Sequence, residues 1–324
     1  MKSFIICAII NTGLIYPIVA YWVWGGGWLM ARGFQDFAGC GVVHMVGGIS
    51  AFVGAWILGP RYGFEKNSKD KKTWEEIQND PSYKNMEKEF PGKEVEFRRW
   101  IKECAEKPYK INSVMDVAAG TLILWVGWFY FNGGSALTMY KARQNSVCRI
   151  VLNTIIGGGA GGITMMIFKP LIMRTGSKYN IYDFCSLCDG IVAGLISITA
   201  SCNNCDVWAA FVIGVISCPV SIIGMVIIKT LGVDDPINAA ALHTSNGIWG
   251  LIACGFFDIT KGVIVSGNKN ERDKFFGYQL CGIVVIAAWV FSLNCVVFFI
   301  MKKCGILRVP LVDEIVGLDI SECG

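Results

Sequence analysis

Residues 36–49 read DFAGCGVVHMVGGI, and residues 235–248 read DPINAAALHTSNGI. Each begins with an aspartate, reaches a histidine after seven intervening residues and runs three more to Gly-Ile, so D-x7-H-x3-G-I occurs twice. Eight apolar stretches stand out, at about 3–30, 37–59, 114–138, 147–170, 186–204, 206–231, 238–258 and 275–301. Most are near the ~20 residues that a helix needs to cross a hydrocarbon core ~30 Å thick. The two copies of the pattern open the second and the seventh stretch. Those spans are five apart, an odd number, so they cross in opposite directions. That is an inverted repeat, an architecture that sets a substrate site between its halves near the midplane. A five-span unit ending at the seventh stretch begins at the third. Its partner, ending at the second, should also have five spans and has two, so about three helices are expected to be missing before Met1.

Composition agrees. The 324 residues are 53% hydrophobic and 17% charged, with a mean hydropathy of +0.49. Helices satisfy their own backbone hydrogen bonds in lipid, so the expected class is all-α, a polytopic helical membrane protein. The opening run from Met1 resembles a signal peptide, but its apolar character continues to Met30, which suits a full span. The 14 cysteines are scattered through apolar stretches and read as reduced thiols. The net charge of +4 is concentrated in no basic, aromatic-interleaved face, and nucleic-acid binding is not expected.

One segment, 60–113, is too polar for the membrane: it holds 13 of the 29 Lys+Arg and 11 acidic residues. It reads as a charged, solvated cytoplasmic loop with some helix. Placing it and the C-terminus in the cytoplasm leaves 21 Lys+Arg inside and 8 outside, as the positive-inside rule requires.

His44 and His243 are the only histidines. An ionisable group within an apolar helix is a functional candidate by default, although a lone one is more often a satisfied core residue. Equivalent places in an inverted repeat bring the two together, where imidazoles bonded to each other can line a pore and relay a proton. Asp36 and Asp235 lie about two turns before them. Helix capping explains Asp234 and Asp235; Asp36 caps, or stabilises a cation at the outer mouth through its field. Trp24, in WVWGGGWL (22–29), belongs to an interfacial aromatic belt or offers its ring face to a small cation. Phe131 and Ser135 fall four apart on one helical face, a hydroxyl above an aromatic constriction. The G-x-G-x-x-G match at 157–162 follows apolar helix and reads as close helix packing. Cys185/Cys188 and Cys202/Cys205 are too far apart along a helix to share one zinc ion.

Five segments, WVWGGGWL, DFAGCGVVHMVGG, GWFYFNGGSAL, GVDDPINAAALHTSNGIWG and EIVGLDISECG, resemble ammonium transporters of the Amt/Mep/Rh family, Amt branch, in the family's order. The resemblance implies the ammonium-transporter fold and a homotrimer in which each subunit has its own hydrophobic pore. It implies a plasma-membrane location with a cytoplasmic C-terminus. It divides the chain into the last two helices of the first repeat (1–59), the loop (60–113), a second five-helix repeat (114–258), a final transmembrane helix (259–301) and a regulatory tail (302–324) that packs under neighbouring subunits around Gly317 to Ser321. His44 and His243 look like twin pore histidines, Trp24, Ser135 and Asp36 like the ammonium recruitment site, and Phe131 like a gate. The partners implied are ammonium or ammonia, methylammonium as an analogue, and the lipid bilayer. No cofactor, metal or enzymatic activity is expected. An ammonium sensor, or a non-transporting truncated subunit that modulates full-length trimers, stays open beside the transporter.

Overall fold

A computed structural model describes residues 2–64, 72–106, 113–139, 144–173, 183–264, 269–318 and 321. All regular structure among them is helical. Helix α1 (Lys2–Ile10) passes through a π turn at Asn11–Ile15 into α2 (Tyr16–Val23), and a short α3 (Trp28–Ala31) follows. A second π turn, Cys40–Met45, carries His44 and leads into α4 (Val46–Leu58). Beyond the 60–113 segment come α8 (Val114–Gly134), α9 (Gln144–Met173), α10 (Phe184–Ile198), α11 (Val207–Thr230), α12 (Ala239–Phe257) and α13 (Lys269–Lys303).

All eight expected spans contain helix, and among the described residues six helices are long and apolar enough to cross a membrane. Two fall short of that standard for physical reasons. Helix α12 carries His243, Thr244, Ser245 and Asn246 within its first turns, four polar residues in a row that lower its hydropathy. Helix α10 stops at Ile198, well before the expected 204. Its end is taken over by a loop: the carbonyls of Thr199 and Ala200 accept bonds from the amides of Ala38 (3.2 Å) and Phe37 (3.1 Å). That pairing ties α10 to the turn just before His44.

The glycine run at 157–162 is a packing surface. A Cβ on Gly161 would lie 2.5 Å from the Gly190 carbonyl oxygen, so α9 and α10 touch backbone to backbone. A polar triad links the first, second and last spans: Ser50 Oγ donates to Asn11 Oδ1 (3.1 Å) and accepts from Asn294 Nδ2 (3.0 Å). It sits at the first π turn, where the widened helix brings Asn11 to this junction.

Of the 60–113 segment, expected as a solvated loop with some helix, residues 60–64, 72–106 and 113 are described. It forms α5 (Trp74–Asn79), α6 (Pro81–Glu87) and α7 (Glu94–Glu106). Thr73 and Glu76 make a capping box on α5, and Asp80 caps α6. Ile77, Tyr83, Phe97 and Ile101 form a small separate core that takes in Val312, Ile315 and Val316 of α14 (Leu311–Val316). The segment is thus a helical cap, and it buries the tail helix of its own chain. Of the tail expected around Gly317 to Ser321, residues 319–320 lie outside the described residues.

Candidate functional site: a buried histidine pair

The aspartate that opens each repeat sets the start of its histidine helix. Asp36 is buried, and its carboxylate accepts four backbone amides: Gly39 (3.0 Å) and Cys40 (2.8 Å) on one oxygen, Gly41 (2.8 Å) and Val42 (3.0 Å) on the other. Four exposed donors at a helix start are satisfied by one side chain. Asp235 does the same more sparingly, accepting from the Ala241 amide at 3.0 Å. Asp234 departs from the capping expected of it. Its carboxylate is taken up by Arg61, through Nε (2.7 Å), Nη2 (2.8 Å) and the backbone amide (2.9 Å).

The repeat brings its histidines together. The His44 and His243 ring centroids lie 5.3 Å apart, the planes tilted by 38°. The rings touch without a hydrogen bond between them. His44 is buried, and its Nε2 has no hydrogen-bond partner among the described residues. Two aromatic rings of α8 cover it: Trp128 stacks on it at 5.1 Å and 16°, and Phe131 lies at 5.7 Å. His243 is only half-buried.

Trp128 was not singled out by the sequence. Its signal was its place three residues before Phe131, on the same helical face. Its indole N–H donates to Thr199 Oγ1 at 3.1 Å, which locks the ring over His44 from the broken end of α10.

The outer candidates fall into two groups. The Trp24 indole N–H donates to the Asp36 carbonyl at 2.7 Å, while 40% of the residue stays exposed. Its ring lies against Gly39, which holds φ 111° in the turn that Asp36 caps. Trp24 and Asp36 therefore form one unit. Ser135, half-buried, ends α8 and donates its hydroxyl to the Phe131 carbonyl at 2.8 Å, so it shares a unit with Phe131.

Cys185, Cys188, Cys202 and Cys205 form no disulfide in the structure. Cys202 and Cys205 are buried, with Asn153 Nδ2 bonded to both their carbonyls at 3.0 Å.

Comparison with known proteins adds the lineage. A family model described as the Ammonium Transporter Family matches residues 1–80 and 97–324, leaving out the middle of the cap. The chain is 34% identical over 330 residues to a putative ammonium transporter of Synechocystis, covering 100% of this chain and 62% of that protein. It is 33% identical over 336 residues to the ammonium transporter Amt2 of Archaeoglobus fulgidus, covering 98% and 62%. The chain thus spans 62% of the length of both relatives. Among solved structures, one named Sensor Amt Protein superposes with a TM-score of 0.73 at 31% identity, over 96% of this chain and 67% of that one. Candida albicans Mep2 gives 0.71 at 28% identity, over 96% and 60%. With its family model matched along nearly the whole sequence, this chain belongs to the ammonium transporter family.

Proposed function

We propose that the chain conducts ammonium or ammonia across a membrane past His44 and His243, and that it acts as a transporter rather than an enzyme. One observation carries this reading: the buried His44 Nε2 without a partner, in a ring contact shared by Trp128, Phe131 and His243. An unsatisfied buried polar nitrogen costs ~1–3 kcal/mol. A small amine passing the rings can satisfy it by hydrogen bonding. A bare cation in the same apolar lumen meets a much larger desolvation cost.

In this mechanism ammonium is drawn to the face of Trp24, aided by the field of Asp36 and a lone pair of Ser135. It hands a proton to water at the outer mouth, before the gate at Phe131, and ammonia moves past the histidines. Homotrimeric assembly, a plasma-membrane location and a cytoplasmic cap and C-terminus belong to the same proposal, by similarity to the family. The sensor reading has one specific support: the folded cap grips the tail helix, which gives occupancy of the pore a structured element to act on.

The test is uptake of labelled methylammonium in cells without ammonium transporters of their own. Saturable uptake that is lost in His243→Ala supports conduction through the pair. A well-expressed, membrane-inserted chain without uptake refutes conduction by this chain alone. If it then lowers uptake by a co-expressed longer relative, it is a modulating subunit.

A further inference from the structure

Helix α12 begins between two ion pairs that the histidine pair does not use. On one side Asp234, its side chain 2% exposed, takes three donors from Arg61, whose side chain is 34% exposed. On the other, Asp189 of α10 accepts from Lys169 Nζ of α9 at 2.7 Å and from Asn238 Nδ2 at 3.3 Å. Asn238 is the residue that starts α12, and it sits in the left-handed region at φ 54°. Asparagine is one of the few residues with a Cβ that adopts this conformation readily. His243 follows five residues later, ~7.5 Å along the axis at 1.5 Å per residue. Helix α12 is continuous from Ala239, so a shift at Asn238 travels to His243.

A buried ion pair is weak evidence for stability, because desolvation offsets much of its attraction. Its well-attested use is to fix register, since charges held by directional bonds do not slide as apolar surfaces do. We infer that Asp189 and Asp234 are positioning residues: together they fix where α12 begins and so set His243 against His44. The Asp234 anchor extends further. The neighbouring Tyr62 amide donates to Glu314 Oε1 at 2.7 Å, and Glu314 also binds Arg308, so the state of the cap and tail reaches α12 through Arg61. This inference rests on the proposed conduction only in treating His243 as a pathway residue.

The experiment exploits the histidine count. The full chain, labelled with 15N-histidine and placed in lipid nanodiscs, gives imidazole signals from two residues only. Asp189→Asn, Asp234→Asn and Asn238→Gly are each expected to shift the His243 signals or change their tautomer ratio. Asn238→Gly keeps the left-handed start available and deletes only the link to Asp189, so it separates anchoring from folding. The swap Arg61→Asp with Asp234→Arg is expected to restore the wild-type spectrum. His243 signals unmoved in Asp189→Asn and Asn238→Gly overturn the Asp189 anchor. A swap as perturbed as Asp234→Asn overturns the Asp234 anchor. These spectra need no transport: shifted signals in a chain without uptake leave the anchors standing and count against conduction alone.

Discussion

Gly48 and Gly247 hold equivalent places on the two histidine helices, each four residues after its histidine and each pressed against the other helix. A Cβ on Gly48 would lie 2.8 Å from the His243 carbonyl carbon, and one on Gly247 would lie 2.8 Å from the Cys40 carbonyl oxygen and 3.0 Å from the Met45 amide. Residues four apart share a helix face. Each repeat therefore supplies, one turn after its imidazole, the gap into which the other repeat's backbone fits. That reciprocal fit allows the 5.3 Å ring contact.

Filling either gap should part the helices. Gly48→Val and Gly247→Val are expected to lower stability by about 1–3 kcal/mol, the usual cost of overpacking. They should reduce methylammonium uptake more than expression. Thermal unfolding in detergent, with uptake measured alongside, checks both. Unchanged midpoints would mean that the helices part freely and the close crossing is not required.

The crossing was legible because both halves of it are written locally, as aspartate, histidine and glycine at fixed spacing. The rest depended on distant chain. Nothing around Ile198 ends a helix; α10 stops where Phe37 and Ala38 bond to the carbonyls of Thr199 and Ala200 just beyond it. Asp234 looked like a cap because its partner, Arg61, is 173 residues away. The cap was read as solvated from its charge. Its residues Phe97 and Ile101 fall four apart on one helix face, yet the tail helix that completes their core lies beyond six further helices, α8 to α13.

Trp128 should matter through its bond as well as its ring. Trp128→Phe keeps an aromatic over His44 and removes the donor to Thr199, a loss of about 1 kcal/mol for one buried hydrogen bond. Uptake should fall modestly, while Trp128→Ala, which also strips the stack from His44, should nearly abolish it. Equal uptake in the two variants would show that the ring itself contributes nothing.

The cap should loosen in acid. Burial pushes the Asp80 carboxyl up, but the Ser82 hydroxyl and amide and the Lys72 ammonium outweigh it and hold the group below its ordinary 3.8. The Thr73 amide and hydroxyl likewise hold Glu76 below 4.5. A carboxylate with a depressed folded-state pKa stabilises the fold above its unfolded value, and that contribution is lost as pH falls through the folded one. Protection of cap amides is therefore expected to be flat above about pH 5 and to decline below about pH 4. Asp80→Asn should shift that decline, as followed by hydrogen exchange. Protection that rises on acidification would reverse the assignment.

The tail helix should depend on the cap's core. Phe97 is 2% exposed and makes ring contacts with Tyr83 at 5.1 Å and Phe90 at 5.2 Å. Removing a buried phenylalanine side chain costs ~3–5 kcal/mol, a large share of what so small a helical unit can hold. Phe97→Ala should open the cap and free residues 311–316, whose Val312, Ile315 and Val316 have no other core to join. Amide exchange there should speed by at least about a hundredfold, at 1.4 kcal/mol per tenfold, while α9 to α13 stay protected because their cores are separate. Slow exchange in 311–316 of Phe97→Ala would mean that the Glu314 contacts with Tyr62 and Arg308 hold the tail without the cap.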